Sequence, residues 1–180
     1  MRDRENEIVA LVTYIHNKIG YRDPPFSFQE FCANFPAYEL QPAELPSGFN
    51  GEILVKGPYK IIRYRSRSST RSSRFAIGHE IGHGFLHNYE DFQCSVNKSI
   101  SIFKMPSKDP REWEADCFSA ELLMPFPFLN RMATGLNDGA PENIDLESGR
   151  LSKIFGVTKT AMKTRLRDLV RLREWEGEYL

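Results

Sequence analysis

The chain has 180 residues, of which 41% are hydrophobic, and its 24 Lys and Arg balance 24 Asp and Glu. This composition suits one domain of moderate size with a packed core, or a core with a small appendage. The equal numbers of basic and acidic residues exclude a strongly basic or strongly acidic protein. The opening residues 1–7 carry charges of both signs, and no stretch approaches the length of a membrane span, so we expect neither a signal peptide nor a membrane protein.

Two helices are predicted at the start of the chain. Apolar residues between Ile8 and Ile19 recur at helical spacing, and Gly20 ends the pattern. A capping-box pattern that begins at Ser27 predicts a second, short helix over residues 28–34.

Three strands are predicted next, at residues 38–40, 52–56 and 59–64. The turn Lys56-Gly57-Pro58-Tyr59 is typical of a hairpin, so we expect a small antiparallel sheet packed against the following helix. The 59–64 strand is a candidate edge to which a peptide substrate adds by main-chain hydrogen bonds.

Arginines recur among serines, without an acidic residue, from Arg63 to Arg74. We interpret this tract as a solvated strand end and loop. The alternative is a basic rim that attracts an acidic substrate or nucleic acid.

The most informative motif is H-E-x-x-H at residues 79–83. On a helix, His79 and His83 lie one turn apart on the same face, where two imidazoles can hold one Zn²⁺, and Glu80 lies beside them as a base for water. Interleaved apolar residues predict a buried helix, which favours a metal over two hydrogen-bonded core histidines with Glu80 in a salt bridge. His87, one further turn along, is a candidate neighbour of the site or a plain structural histidine.

A second helix is predicted after residues 88–108, which lack clear periodicity and which we interpret as an irregular loop covering the cleft. Asp109 is its expected cap and Pro110 lies in its first turn, whereas Met124-Pro125 is its expected end.

Two carboxylates of this helix, Glu112 and Asp116, are four residues apart and share a face. That spacing suits Glu112 as the third zinc ligand and Asp116 as the acceptor of the free N–H of a ligating histidine, which we expect to be His79. Glu114 lies about 200° around the helix from Glu112 and is the second choice as ligand. The alternative is that these acids only form a solvated helix face.

The C-terminal part begins with residues 135–146, which are rich in Gly, Asn and Asp and predict a linker. Apolar residues from Leu151 to Leu169 fit two short helices joined at Gly156-Val157, with Thr158 as a cap, and this unit resembles a helix-turn-helix. The second helix is basic through Lys159, Lys163, Arg165, Arg167, Arg171 and Arg173. It could bind DNA, dock a repressor or complete a structural bundle; we expect direct DNA binding least.

Two stretches together resemble the ImmA/IrrE family of metallopeptidases: R-F-x-x-x-H-E-x-G-H-x-x-x-H from Arg74 to His87, and E-x-E-A-D-x-F-x-A-E-L-L-M-P from Glu112 to Pro125. Ser119 stands where we expect an alanine. The resemblance implies an α+β fold, with a minimal zincin-like core of helices on a small antiparallel sheet, two histidines and a glutamate as zinc ligands, and cleavage of helix-turn-helix repressors in mobile-element or stress-response switches.

We therefore expect a zinc-dependent metalloendopeptidase with its core at residues 1–134, and a linker and C-terminal helix-turn-helix-like segment at residues 135–180, packed on or next to that core. Three cysteines without a C-x-x-C spacing indicate reduced thiols and a cytoplasmic location. One alternative is a DNA-binding transcriptional regulator with a structural zinc site, and another is an inactive member that acts by protein contact. Glu80 favours the enzyme, since a structural site needs no base.

Overall fold

The computed structural model describes residues 2–66, 70–87, 109–134, 136 and 141–177. Their elements are α1 (Arg2–Ile19), α2 (Phe28–Asn34), β1 (Tyr38–Ala43), β2 (Gly51–Lys56), β3 (Tyr59–Arg65), α3 (Thr70–Leu86), α4 (Pro110–Leu123), α5 (Phe126–Met132), α6 (Pro141–Phe155) and α7 (Lys159–Gly177). The predicted α+β class is confirmed, and the loop predicted at residues 88–108 lies outside the described residues. Among the described helices, none has both the length and the apolar character that crossing a bilayer requires.

Local chemistry explains where α1 ends and where α2 begins. Gly20 follows α1 with φ of +69°, a left-handed conformation that glycine adopts without a Cβ penalty. The Ser27 hydroxyl accepts a hydrogen bond from the backbone N–H of Glu30 at 3.2 Å, which caps α2. α1 then buries Ile8, Val12 and Ile15 in the core.

The sheet has the order β1-β3-β2. β3 pairs antiparallel with β2 through the hairpin at Gly57, but it pairs parallel with β1, so the sheet is mixed rather than wholly antiparallel. The chain leaves β1 and enters the sheet again at the far edge, which gives β1 and β3 the same direction. Because both sides of β3 are paired, the prediction that the 59–64 strand offers a free edge is wrong; among the described strands, the edges are β1 and β2.

α3 lies between the sheet and α4, and glycines let these layers approach closely. A Cβ on Gly78 would lie 2.6 Å from the Ser119 hydroxyl of α4, and a Cβ on Gly82 would lie 3.0 Å from the Phe118 ring. On the sheet side, a Cβ on Gly84 would lie 2.7 Å from the Tyr38 hydroxyl. The glycines of the motif helix thus bring α4 close enough to face the histidines.

α6 and α7 belong to the same hydrophobic core as α1, α3 and α4. The linker predicted at residues 135–146 is shorter than expected, because α6 already begins at Pro141. The buried stripe of α6 is formed by Ile144, Ser148, Leu151 and Phe155. The polar residue Ser148 interrupts the apolar pattern of α6, which explains why the sequence pattern did not predict the first turns of this helix.

Candidate metal centre

The structure brings His79, His83 and Glu112 together where α3 faces the first turn of α4. The Nε2 atoms of the two histidines lie 2.9 Å apart. Glu112 Oε2 lies 3.5 Å from Nε2 of His79, and its Oε1 lies 3.4 Å from Nε2 of His83. Both imidazoles are buried, and one possible ligand atom from each of the three residues lies within 4.8 Å of the other two.

These separations fit a tetrahedral cation. With zinc–ligand bonds of about 2.0–2.1 Å, the edges of a tetrahedron measure about 3.3 Å. The two nitrogens lie 2.9 Å apart, and each lies 3.4 or 3.5 Å from one of the two oxygens of Glu112. Two nitrogens and one carboxylate oxygen are a donor set that Zn²⁺ accepts, and three protein ligands leave a fourth position for water or substrate. The three residues could therefore form a metal site of the catalytic type, with one coordination position left open.

Asp116 lies behind His79. Its Oδ1 is 2.8 Å from Nδ1 of His79, so the ring donates Nδ1–H to the carboxylate and directs the Nε2 lone pair into the cluster. This is the contact that the spacing of Glu112 and Asp116 led us to expect. Such a partner fixes the tautomer and the orientation of a ligating histidine.

Glu80 is fully buried beside the cluster, and among the described residues neither of its carboxylate oxygens has a hydrogen-bond partner. Burial raises the pKa of Glu80 to about 7; His79 lowers it, and the nearby carboxylates Glu112 and Glu52 raise it further. The first residue of β2 leaves room for this side chain, because a Cβ on Gly51 would lie 3.0 Å from Cγ of Glu80. The described residues contain no salt bridge of Glu80, so a carboxylate with basic capacity faces the cluster.

Glu114 does not join the cluster. Its Oε2 is 3.1 Å from Nε2 of His87 and 2.7 Å from the Arg4 guanidinium. His87 in turn contacts His83, with 2.9 Å between their Nδ1 atoms. The sequence singled out His87 and Glu114 but gave no signal for Arg4, which comes from the first turns of α1.

Three of the clustered arginines have structural partners. Arg63 pairs with Glu52 across the hairpin, and Arg65 donates to the Phe49 carbonyl at 2.9 Å. Arg74 donates to the Phe26 carbonyl at 2.6 Å. These three arginines thus make contacts within the fold, and Arg74 lies on α3 rather than in the solvated strand end and loop that we predicted; Arg67 lies outside the described residues.

Ion pairs also occupy much of the basic surface of α7. Lys159 and Lys163 lie 2.7 and 2.8 Å from the carboxylate of Asp145 on α6. Arg165 is buried against Glu121 of α4. These pairs reduce the positive charge that α7 offers to a polyanion.

Residues 43–167 match a family model, Peptidase_M78, described as an IrrE N-terminal-like domain. The matched region begins at the end of β1 and extends into α7, so it contains every residue of the cluster. A comparison with curated proteins gives no match.

Proposed function

The chain belongs to the Peptidase_M78 family of metallopeptidases, and from this premise we propose that it is a zinc-dependent metalloendopeptidase acting on a helix-turn-helix repressor. The observation that carries the proposal is the convergence of His79, His83 and Glu112 beside the buried carboxylate of Glu80, which has no hydrogen-bond partner in the part of the chain that the structure describes. We place the enzyme in the cytoplasm, which the free thiols of Cys32 and Cys117 support.

In this proposal, His79, His83 and Glu112 hold the zinc ion. Zinc in such a site polarises the scissile carbonyl and lowers the pKa of water towards neutrality. Asp116 keeps the ring of His79 in the tautomer whose Nε2 can bind a metal.

Glu80 is the general base. Its carboxylate takes a proton from the attacking water and passes it to the leaving amine. Burial suits this role, because it removes competing hydrogen bonds and raises the pKa of the side chain to about 7, close to the working pH of a general base.

β2 is the strand along which we expect the substrate to bind. Among the described strands it is an edge of the sheet, and its first residue, Gly51, packs against Glu80. An extended peptide that pairs with β2 would therefore run past the base, with main-chain hydrogen bonds supplying affinity. The choice of a repressor as substrate rests on the two motifs that resemble the ImmA/IrrE family.

The test is incubation with the helix-turn-helix repressor encoded next to this gene, with zinc or with EDTA, followed by mass spectrometry of the fragments. We expect zinc-dependent cleavage at a defined bond. Glu80→Gln should bind zinc yet reduce the rate at least 100-fold, because the base is lost. Turnover by this variant at the wild-type rate would remove Glu80 from the mechanism.

A matched pair of variants tests the ligand assignment. Glu112→Ala should fail to retain zinc through gel filtration, because it loses a donor of the cluster. Glu114→Ala should still retain zinc, since its carboxylate points away from the cluster. The reverse result would transfer the ligand role to Glu114.

A further inference from the structure

The two histidines of the cluster have different partners on the ring nitrogen that faces away from it. His79 donates its Nδ1–H directly to the Asp116 carboxylate at 2.8 Å. His83 instead has its Nδ1 atom 2.9 Å from Nδ1 of another imidazole, that of His87. A nitrogen–nitrogen contact of this length is a hydrogen bond only if one ring donates and the other accepts.

The position of His83 determines which ring donates. Its Nε2 points at the cluster and must carry a lone pair to bind a metal, so its proton is on Nδ1. His87 therefore accepts with Nδ1 and, as a neutral ring, carries its own proton on Nε2. That Nε2 lies 3.1 Å from Glu114 Oε2, which can only accept. A single assignment of tautomers thus satisfies every contact from His83 to Glu114.

Arg4 of α1 holds the far end of this chain. Its guanidinium lies 2.7 Å from the same Oε2 atom of Glu114. Side-chain exposure rises outward, from 9% for His87 to 16% for Glu114 and 38% for Arg4. The contacts thus connect a buried donor of the cluster to the surface of the N-terminal helix.

We propose that His87, Glu114 and Arg4 form a hydrogen-bonded relay that positions His83, and that the relay makes metal affinity depend on the attachment of α1. His87 and Glu114 are positioning residues and take no part in bond breaking. The proposal rests on the proposed function only in that the cluster binds a metal. It differs from the role of Asp116, because the carboxylate that supports His83 acts through a second imidazole and is itself neutralised by an arginine.

The first test measures the zinc dissociation constant by competition with a chromophoric chelator. We expect His87→Ala to weaken zinc binding about 10- to 100-fold, the usual effect of losing a partner of a ligating histidine. His87→Gln should recover part of the affinity, because its amide can accept from His83 and donate to Glu114. Glu114→Ala should also weaken binding, but by less than the loss of a ligand in Glu112→Ala, so that zinc is still retained through gel filtration.

A double-mutant cycle tests the connection to α1. Arg4→Ala should weaken zinc binding, but Arg4→Ala combined with Glu114→Ala should bind zinc no more weakly than Glu114→Ala alone, since Arg4 acts through Glu114. The matched control is Glu7→Ala, which removes only the exposed partner of Arg4, 2.6 Å from it. Additive effects of Arg4 and Glu114 would overturn the relay.

The positions of the protons on the His83 and His87 rings provide a second test, because they would not depend on Glu114 if His87 only filled space. In the zinc-loaded protein, ¹⁵N spectra of the imidazoles should show the His87 proton on Nε2, and Glu114→Ala should shift this signal and that of His83 Nδ1. A His87 proton on Nδ1, or a zinc affinity of His87→Ala within twofold of wild type in a folded protein, would overturn the proposal. If the wild type binds no zinc, it is the proposed function that fails.

Discussion

In the proposed mechanism, Glu80 is the residue at which the needs of catalysis and of folding conflict. Its carboxylate is buried without a hydrogen-bond partner among the described residues, so its charged form is costly in the absence of a cation. The pKa of Glu80 is about 7 in the folded chain, compared with 4.5 for a free side chain. Between these values the folded protein binds a proton that the unfolded chain has lost, so stability falls as the pH rises.

This decrease of stability with rising pH leads to a prediction for the zinc-free protein. Glu80→Gln, which mimics the protonated acid, should stabilise the protein more at pH 8 than at pH 5, by about 2–3 kcal/mol at most. Urea unfolding in EDTA at the two pH values measures the difference. An equal effect of the substitution at both values would show that Glu80 is not the group that titrates.

The candidate site residues that the sequence predicts are those that helical geometry places together. His79 and His83 share one turn of α3, and Glu112 and Asp116 share one face of α4, so spacing alone predicts their grouping. Arg4 and Gly51 reach the site only through the packing of α1 and β2. Neither residue belongs to a sequence motif, so the spacing of residues along the chain could not identify them.

At the scale of elements, the contact between α3 and α4 sets the geometry of the cluster, and Gly78 and Ser119 lie in that contact. The Ser119 hydroxyl donates to the Phe75 carbonyl at 2.9 Å and occupies the space that a side chain at position 78 would need. Ser119, which stands where the resemblance led us to expect an alanine, is thus accommodated by the neighbouring glycine.

The pair predicts a non-additive result. Gly78→Ala should destabilise the protein by about 1–3 kcal/mol, because the new methyl group overlaps the hydroxyl. Ser119→Ala should cost about 1 kcal/mol through the lost hydrogen bond. The double variant should lose less than the sum, since the overlap disappears with the hydroxyl. Urea unfolding of the four proteins measures the coupling, and strict additivity would contradict it.

Elements with strong local signals were predicted well. α2 and α4 follow their caps, Ser27 and Asp109, and both caps accept backbone hydrogen bonds in the structure. The sequence does not predict the parallel pairing of β1 with β3. An alternating pattern identifies a strand but does not indicate which distant strand it pairs with.

At the scale of the whole molecule, the C-terminal helices are joined to the rest by a common interior. Leu151, Phe155 and Leu166 are fully buried within the hydrophobic core that also contains residues of α1 and α4. The buried ion pair of Arg165 with Glu121 fixes α7 on α4. The division at residue 134 remains a sequence-based prediction.

A shortened chain tests that division. A chain that ends at residue 134 should not unfold cooperatively, because each lost Leu or Phe contributes about 1.5–3 kcal/mol of burial and a whole domain has only about 5–15 kcal/mol of stability. A chain that ends at residue 173 is the control, since it retains these buried side chains. Circular dichroism during heating distinguishes the two. A sharp transition in the shorter chain would establish residues 1–134 as an independent domain.

The parallel pairing of β1 with β3 has a consequence for the order of folding. The segment between these strands contains β2, which forms a two-residue-turn hairpin with β3 and requires little loop closure. Hairpins form within about 1–10 μs, whereas more distant contacts form more slowly. We therefore expect the hairpin to form first and β1 to pair with it afterwards, which would bring the preceding helices α1 and α2 to the core. The contact of Arg4 with Glu114 spans 110 residues of sequence, so we expect the support of the candidate metal cluster by α1 to form later than the hairpin.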